Sequence, residues 1–212
     1  MDVDRETAAQ TGEELNLGAE VVPRQAATVI VLRGGSEGLE ILLVKRNPAA
    51  RFMGGAWVFP GGAVDAHEGE GDLAHRAAGV RELEEEAGIG GVRPEQLVKF
   101  SQWITPRQIA IRFDTHFFLA AVGEDTAVVI DGDEIVDLGW FTPPGALEAH
   151  AAGDLALVFP TIKHLEQLAT FPSADALLAH AAAQEIVPVQ PRVVVSGESA
   201  RIVLPGEPGY DG

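Results

Sequence analysis

The strongest pattern in this sequence is the stretch Arg81-Glu82-Leu83-Glu84-Glu85-Glu86-Ala87-Gly88-Ile89. Three of its glutamates, Glu82, Glu85 and Glu86, stand at positions i, i+3 and i+4. On an α-helix these positions lie within an arc of roughly 100°. The stretch therefore predicts one carboxylate patch near the end of a helix that stops at Gly88, since glycine is typical of the position after a helix.

The residues before this patch extend the predicted helix. From Asp72 to Ala87 apolar residues recur at intervals of three and four, as a helix with one buried stripe requires. Asp72 is the predicted N-cap. On a helical wheel the three glutamates fall opposite the stripe, so we expect them not to disturb core packing, whereas Glu84 lies near it. The predicted stripe consists of Leu73, Ala77, Val80, Leu83 and Ala87.

A run of glutamates is most simply a solvated helix face, but two electrostatic penalties weigh against that interpretation. Like charges at i, i+4 cost about a few tenths of a kcal/mol, and negative charges in the last turn face the negative end of the helix dipole at roughly 0.3–1 kcal/mol each. A bound cation removes both penalties. Mg²⁺ binds carboxylate oxygens and completes its shell with water and substrate phosphate. The patch therefore predicts a site for Mg²⁺ or Mn²⁺.

Strand-like and helical segments surround this helix, and they predict an α+β (mixed α/β) fold. We divide the chain into a flexible acidic tail (1–23), a core (24–143), and a C-terminal helical extension and tail packed on the core (144–212). The segment Pro60-Gly61-Gly62 is the predicted turn after a short strand. Strands are predicted at 27–32, 39–44, 57–59, 97–104, 113–122 and 135–141, helices at 145–152, 162–169 and 174–183, and strand-like pieces from 187 onward.

The charge and the cysteine content restrict the partners. The chain has 32 acidic against 15 basic residues, a net charge of −17, which repels a phosphate backbone, so no nucleic-acid polymer is expected as a partner. A small phosphorylated substrate remains compatible, because local arginines and metal ions can reverse the field within one pocket. The chain has no cysteine, which excludes disulfides and thiolate metal sites. It shows no membrane-spanning run and no signal-peptide pattern, so we expect a cytoplasmic protein without a membrane partner.

The stretch quoted first resembles the second half of the Nudix box, G-x5-E-x7-R-E-U-x-E-E-x-G-U, in which U is aliphatic, and it matches every fixed position. The resemblance implies a metal-dependent hydrolase that acts on a nucleoside diphosphate linked to another moiety. The implied fold is an α/β/α sandwich with a mixed sheet. By position, Glu82, Glu85 and Glu86 would be the metal ligands and catalytic residues. Arg81 would orient a carboxylate through a charge-assisted hydrogen bond.

The first half of the box departs from the family pattern. Gly62 and Glu68 have the expected spacing, but twelve residues instead of seven separate Glu68 from Arg81. A longer surface loop costs little entropy, so the fold should tolerate it. Glu68 is the predicted fourth metal-binding carboxylate, with Glu70 as the alternative.

The residues upstream of the box indicate a substrate. Residues 42–62 resemble the pattern LLT-x-R-S-A-x3-R-x3-G-x3-F-P-G-G of coenzyme A diphosphatases, although the interval between the two arginines is one residue short. Segments 103–106 and 112–118 resemble the same subgroup. Arginine can grip phosphate oxygens bidentately, so Arg46 and Arg51 are the candidate phosphate anchors. Gly61 and Gly62 complete the predicted substrate-binding residues.

The resulting hypothesis is a hydrolase in which Mg²⁺ ions on the glutamates bridge the diphosphate of coenzyme A or acyl-coenzyme A and activate a water. One alternative keeps the chemistry and changes the substrate to ADP-ribose or a dinucleotide. Another is a non-catalytic nucleotide sensor. Glu134 is a candidate for an additional carboxylate, and no role is assigned to His67 or His116. A homodimer interface is one hypothesis for the C-terminal helices.

Overall fold

The computed structural model describes residues 2–3, 16, 18, 20–196 and 199–210. Short 3₁₀ helices cover Ala66–Glu68 and Pro94–Gln96. The α-helices of this part of the chain are α1 (Gly71–Ala87), α2 (Pro143–Ala152), α3 (Phe159–Leu168) and α4 (Ala174–Ala183). Its strands are β1 (Asp2–Val3), β2 (Arg24–Arg33), β3 (Glu40–Arg46), β4 (Trp57–Val58), β5 (Gly61–Ala63), β6 (Val98–Ile104), β7 (Phe113–Ala121), β8 (Ile135–Phe141), β9 (Arg192–Ser196) and β10 (Ser199–Val203).

The central sheet is mixed, and β2 lies in its middle. β2 runs parallel to β7 and antiparallel to β3 and β5, while β6 pairs with β7, and β4 and β8 both pair with β3. The run of apolar and β-branched residues in β2 is typical of a strand that is covered on both faces. The central strand is therefore protected from water on either side.

Alternate residues of the sheet enter two separate hydrophobic clusters, because successive side chains of a strand point to opposite faces. Ile30 and Leu32 of β2 pack in the first cluster with Ile162, Leu165 and Leu177 of the C-terminal helices. The intervening residues of β2 and β7 pack in a second cluster with α1. That second cluster includes Ala27, Val29, Val31, Phe118, Ala78, Leu83 and Ala87. The helices cover both faces, which confirms the α/β/α sandwich and the predicted mixed α+β fold class.

The packing of α1 corrects the predicted apolar stripe. Leu73 is 70% exposed, and the residues that face the sheet include Ala74, Ala78 and Gly79. A Cβ atom on Gly79 would lie 3.1 Å from a methyl group of Val29, so the smallest residues set the side on which the helix approaches the sheet. Two further predictions were wrong: Asp72 lies inside the helix, which is preceded by Glu70 as its N-cap residue, and Glu86, predicted to lie opposite the buried stripe, is itself buried. Glu84, which the wheel places near the stripe, is exposed.

The predicted turn at Pro60-Gly61-Gly62 is instead the entry to strand β5. Gly61 pairs with Thr28 of β2, and a Cβ atom at Gly61 would come within 2.7 Å of the Thr28 Cα. Only glycine allows the two backbones to approach this closely. The glycines of this segment therefore add an edge strand to the sheet beside the N-terminal half of β2.

The C-terminal segment forms a small second sheet, in which β10 pairs with both β1 and β9. The backbone of Val189 attaches it to edge strand β6, through hydrogen bonds of 2.8 Å with Gln102 and Ile104. Most residues of the predicted flexible tail (1–23) lie outside the described residues. Among those described, Glu20 and Val21 contact Arg112. No helix of the described ranges is long and apolar enough to cross a membrane.

Candidate active site

A cavity of about 600 Å³ opens over one end of the central sheet. Its floor comprises alternate residues of two adjacent parallel strands, Arg24, Ala26 and Thr28 of β2 and Phe113, Thr115 and Phe117 of β7. The end of α1 adds Arg81, Glu82, Glu85 and Glu86 to its lining. The volume lies in the range of small-molecule sites, about 300–1,000 Å³. The glutamate patch therefore borders a cavity large enough for a substrate.

Arg81 holds the carboxylates of the patch together. Its Nη1 atom donates to Glu82 Oε1 at 2.7 Å and to Glu85 Oε2 at 2.9 Å, and its Nε atom donates to Glu68 Oε1 at 3.0 Å. Its Nη2 atom donates to the backbone oxygen of Ala63 in β5 at 3.0 Å. Although its burial opposes the charge, these glutamates raise the pKa of Arg81. The guanidinium therefore stays charged and connects the helix, the loop before it and the sheet edge.

Glu68 and Glu70, the two alternatives for the fourth carboxylate, occupy different surroundings. The Glu68 side chain is only 5% exposed and also accepts a hydrogen bond from the Asp65 N–H at 2.7 Å. Burial alone would raise its pKa, but the hydrogen bonds from Arg81 and Asp65 outweigh this and lower the pKa of Glu68. Glu70 is exposed at the helix start. Of the two, the structure brings Glu68 to the patch, through Arg81.

Glu86 is the most deeply buried member of the patch, with 4% of its surface exposed. Its Oε2 atom accepts a hydrogen bond from the Gly61 N–H at 2.9 Å, and its Oε1 atom lies 3.6 Å from Arg46 Nη1. Burial, reinforced by the negative charges of Glu82 and Glu134, raises the pKa of Glu86 to about 7. The hydrogen bond and Arg46 compensate only in part. A cation bound beside Glu86 would therefore offset the repulsion from Glu82 and Glu134.

Gly62 lies directly against the carboxylate of Glu82. A Cβ atom at Gly62 would lie 2.1 Å from Glu82 Oε1, which is closer than any two such atoms can approach. The pKa of Glu82 is raised, first by burial and then by its acidic neighbours, against the opposing effect of Arg81. Gly61 and Gly62 therefore have distinct functions, since the first donates its N–H to Glu86 and the second leaves room for the carboxylate of Glu82.

The donor set fits a divalent metal ion. Glu82, Glu85 and Glu86 provide carboxylate oxygens only, the ligands that Mg²⁺ and Mn²⁺ favour. Two of them have raised pKa values because they are buried near other carboxylates. Within the described ranges no three acidic or histidine side chains converge at coordinating distance, and Arg81 hydrogen-bonds to two of these carboxylates. The side chain of Glu85 is 58% exposed and so has room to turn towards an ion.

The arginines predicted as phosphate anchors differ in position. Arg46 lines the cavity between Glu86 and Glu134, whose Oε2 atom is 4.0 Å from Arg46 Nη2. Arg51 is exposed on the loop after β3, and the structure does not bring it to the cavity. The next residue, Phe52, faces the cavity instead, because its ring packs against Phe113 at 5.8 Å. Arg51 as a substrate-binding residue stays a prediction.

Sequence reasoning missed part of the lining. Arg24 joins Arg46 and Arg81 in the cavity lining, and it makes no ion pair within the described residues. The sequence shows that Arg24, Ala26 and Thr28 alternate along one strand and so share a face. Only the positions of β5 and β7 beside β2 show that this face lines a cavity. His116, to which no role was assigned, is buried and stacks on His75 at 3.7 Å. His67 is exposed.

Comparisons with known proteins agree with this geometry. The family model described as the NUDIX domain matches residues 22–160. The chain belongs to the Nudix family. This Nudix protein is 24% identical to putative nudix hydrolase 7 of Caenorhabditis elegans over 88% of this chain and 74% of the relative. It is 23% identical to acyl-coenzyme A diphosphatase NUDT19 of Homo sapiens over 88% of this chain and 80% of the relative.

A solved structure supports the same assignment. The NUDIX hydrolase of Alicyclobacillus acidocaldarius superposes with a TM-score of 0.67 at 25% identity, over 76% of this chain and 97% of the other. The predicted family and the predicted enzyme class are therefore confirmed. This Nudix protein is an enzyme that hydrolyses diphosphate bonds.

Proposed function

We propose that this enzyme cleaves the diphosphate bond of coenzyme A or an acyl-coenzyme A in the presence of Mg²⁺ or Mn²⁺. The observation that carries the proposal is the position of the carboxylate patch at the border of a cavity that is lined by Arg24, Arg46 and Arg81 and by a large apolar surface. Coenzyme A combines a charged diphosphate with an extended, weakly polar arm. The name of the human relative, acyl-coenzyme A diphosphatase, supports the same substrate class.

Glu82, Glu85 and Glu86 would hold the metal ion, and Arg81 is a positioning residue that fixes their carboxylates. A bound divalent ion neutralises phosphate charge and lowers the pKa of a water. Glu68 acts through Arg81, because it contacts that guanidinium and not the cavity. Glu134 lines the cavity at its exposed side and is our candidate for the base that accepts a proton from the attacking water.

Arg46, which lines the cavity together with Gly61 and Gly62, would bind the diphosphate oxygens. One water adds across the P–O–P bridge, so that one phosphorus gains a hydroxyl oxygen and the other keeps the bridging oxygen. The products of coenzyme A are 3′,5′-adenosine diphosphate and 4′-phosphopantetheine, with any acyl group retained on the sulfur. We place this activity in the cytoplasm, on a small molecule and not on a nucleic-acid polymer, and propose a homodimer.

The first test removes single carboxylates from the patch. We expect Glu85→Gln and Glu86→Gln to abolish Mg²⁺-dependent cleavage of coenzyme A, because an amide cannot replace a charged metal ligand. Glu84→Gln is the matched control, since Glu84 lies on the same turn and is exposed. Product release is followed by chromatography, and circular dichroism confirms that each variant is folded. Full activity in both Glu85→Gln and Glu86→Gln would refute the assignment.

The second test compares substrates. Coenzyme A, ADP-ribose and a diadenosine polyphosphate are supplied separately with Mg²⁺, Mn²⁺ or EDTA. We expect the highest kcat/KM for coenzyme A compounds and no cleavage in EDTA. A clear preference for ADP-ribose or for the dinucleotide would leave the enzyme class intact and overturn the proposed substrate.

A further inference from the structure

The C-terminal hairpin β9–β10 forms one wall of the cavity. Val193 of β9 and Ile202 of β10 are direct cross-strand partners, and both line the cavity together with the buried Pro191. All three residues lie beyond residue 160, where the match to the NUDIX domain ends. This wall is therefore an addition to the family domain.

The hairpin is anchored in a way that holds this wall in place. Val189, just before it, hydrogen-bonds to the backbone of β6 on both sides of Trp103, which itself lines the cavity. The Gln108 side chain donates to the backbone oxygen of Val193 at 3.4 Å. Val203, next to Ile202, is completely buried. The wall is thus attached both to the sheet edge and to the loop after β6.

The apolar surface of the wall favours an apolar ligand. Pro191 has no N–H, the carbonyl of Val193 already accepts a hydrogen bond, and the side chains of the wall carry no polar atom. The loop after β6 contributes Ile109 and Ile111, and Ile111 is a large apolar residue with 44% of its surface exposed. A nucleobase would leave its hydrogen-bonding edge without partners here. A saturated chain needs no such partners, and its burial is favourable in proportion to its apolar area.

We propose that the hairpin wall binds the acyl chain of an acyl-coenzyme A and makes the enzyme selective for acylated over free coenzyme A. This inference rests on the proposed function, and it adds the part of the substrate that the hairpin contacts. The glutamate patch cleaves the diphosphate, and the hairpin reads the apolar end of the same molecule. Each methylene buried against the wall should raise kcat/KM by up to about fourfold until the cavity is filled.

The test measures how kcat/KM depends on chain length, from coenzyme A through the acetyl, butyryl, hexanoyl and octanoyl thioesters with Mg²⁺. Wild-type enzyme should show a rising series. The double variant Val193→Ala/Ile202→Ala should cleave coenzyme A normally and lose most of the rise. Val194→Ala is the matched control, because Val194 pairs with Arg201 and so lies on the other face of the same hairpin.

Binding without turnover separates this inference from the proposed function. The same thioesters are titrated calorimetrically in EDTA, and thermal unfolding checks each variant, with Ile202→Val as a milder substitution. Three outcomes would overturn the hairpin proposal. They are a wild-type kcat/KM that does not depend on acyl-chain length, an increase of kcat/KM with chain length that the double variant keeps unchanged, and an equal loss of this increase in Val194→Ala. If the thioesters bind with a rising affinity that the double variant loses, but none is cleaved, the hairpin proposal stands and the proposed function fails. Weaker binding of 3′,5′-adenosine diphosphate to the double variant, with the rise retained, would assign the wall to the nucleotide end and also overturn it.

Discussion

At the scale of single residues, the site depends on one arginine and on two glycines. Arg81 contacts Glu68, Glu82 and Glu85, so it offsets repulsion among carboxylates that lie side by side. Gly61 and Gly62 bring a strand edge against the same carboxylates with no side chain in between. Charge-assisted hydrogen bonds of this kind fix orientation as well as charge. The carboxylates are thus held close together before any metal ion binds.

The substitution Gly62→Ala tests this packing. Because the added Cβ atom would lie 2.1 Å from Glu82 Oε1, the carboxylate has to move, and we expect this shift to weaken its hydrogen bond to Arg81. We expect kcat/KM to fall by about 10- to 100-fold, with a higher Mg²⁺ concentration for half-maximal activity. Gly38→Ala is the control, since a Cβ atom there meets nothing within 4 Å. Unchanged Mg²⁺ dependence in folded Gly62→Ala would contradict the prediction.

At the scale of elements, α3 is joined to the sheet by a buried histidine. His164 Nε2 lies 2.6 Å from Ser101 Oγ of β6, and His164 Nδ1 lies 2.7 Å from the backbone oxygen of Pro160. Since a carbonyl can only accept, Nδ1 carries the proton and Nε2 accepts from the serine. Phe117 and Phe100 surround the ring. The neutral imidazole therefore fits this position, and an imidazolium does not.

The stability of the fold should accordingly depend on pH. Burial lowers the pKa of His164 from 6.5 to about 4. Below about pH 6.5 His164 of the unfolded chain binds a proton that the folded chain excludes. The contribution of His164 to the free energy of unfolding therefore falls as the pH falls from about 6.5 to about 4, and it stays constant below pH 4. This single group accounts for roughly 3 kcal/mol over that window. Urea unfolding between pH 7.5 and 4 measures it.

The variant His164→Gln should reduce that pH dependence. It should not remove it, because burial also lowers the pKa of His116 to about 4. The control is His67→Gln, since the side chain of His67 is 72% exposed. Equal pH dependence in wild type and folded His164→Gln would show that the buried histidine is not responsible.

At the scale of the whole molecule, the enzyme must bring an anionic substrate to a protein of net charge −17. Arg24 and Arg46 supply local positive charge in the cavity, but two glutamates of the patch have raised pKa values. A divalent cation bound to the patch would therefore stabilise the folded protein as well as neutralise charge on the substrate. A ligand that binds only the folded state stabilises it according to its concentration relative to Kd.

We expect Mg²⁺ to raise the melting temperature. At about 100 times Kd the gain is roughly 2.7 kcal/mol, which corresponds to an increase of several degrees for a domain of this size. Calorimetric scans in EDTA, in MgCl₂ and in NaCl of equal ionic strength separate specific binding from charge screening. Glu86→Gln should lose most of the increase that is specific to Mg²⁺. An increase that NaCl reproduces would argue against a bound ion.

Local patterns in the sequence determined the main elements of this protein and indicated its family. The intervals of three and four predicted α1, alternating and β-branched segments predicted the main strands, and Glu82, Glu85 and Glu86 were identified as one patch. These features depend on residues a few positions apart, so the helical and strand periods suffice to recognise them. The position of Gly88 at the end of α1 follows in the same way.

Only the tertiary structure decided which surfaces meet. The helical periodicity predicted that Leu73 is buried. In the structure α1 packs on the sheet through Gly79, close to Val29, and in this orientation Leu73 is exposed and Glu86 is buried. Gly61 lies in a strand because the segment Gly61–Ala63 pairs with the N-terminal half of β2. The hairpin wall brings Ile202 to a site built by residues far away in the sequence. Such contacts join distant parts of the chain, and their choice depends on shape and burial, which no local period encodes.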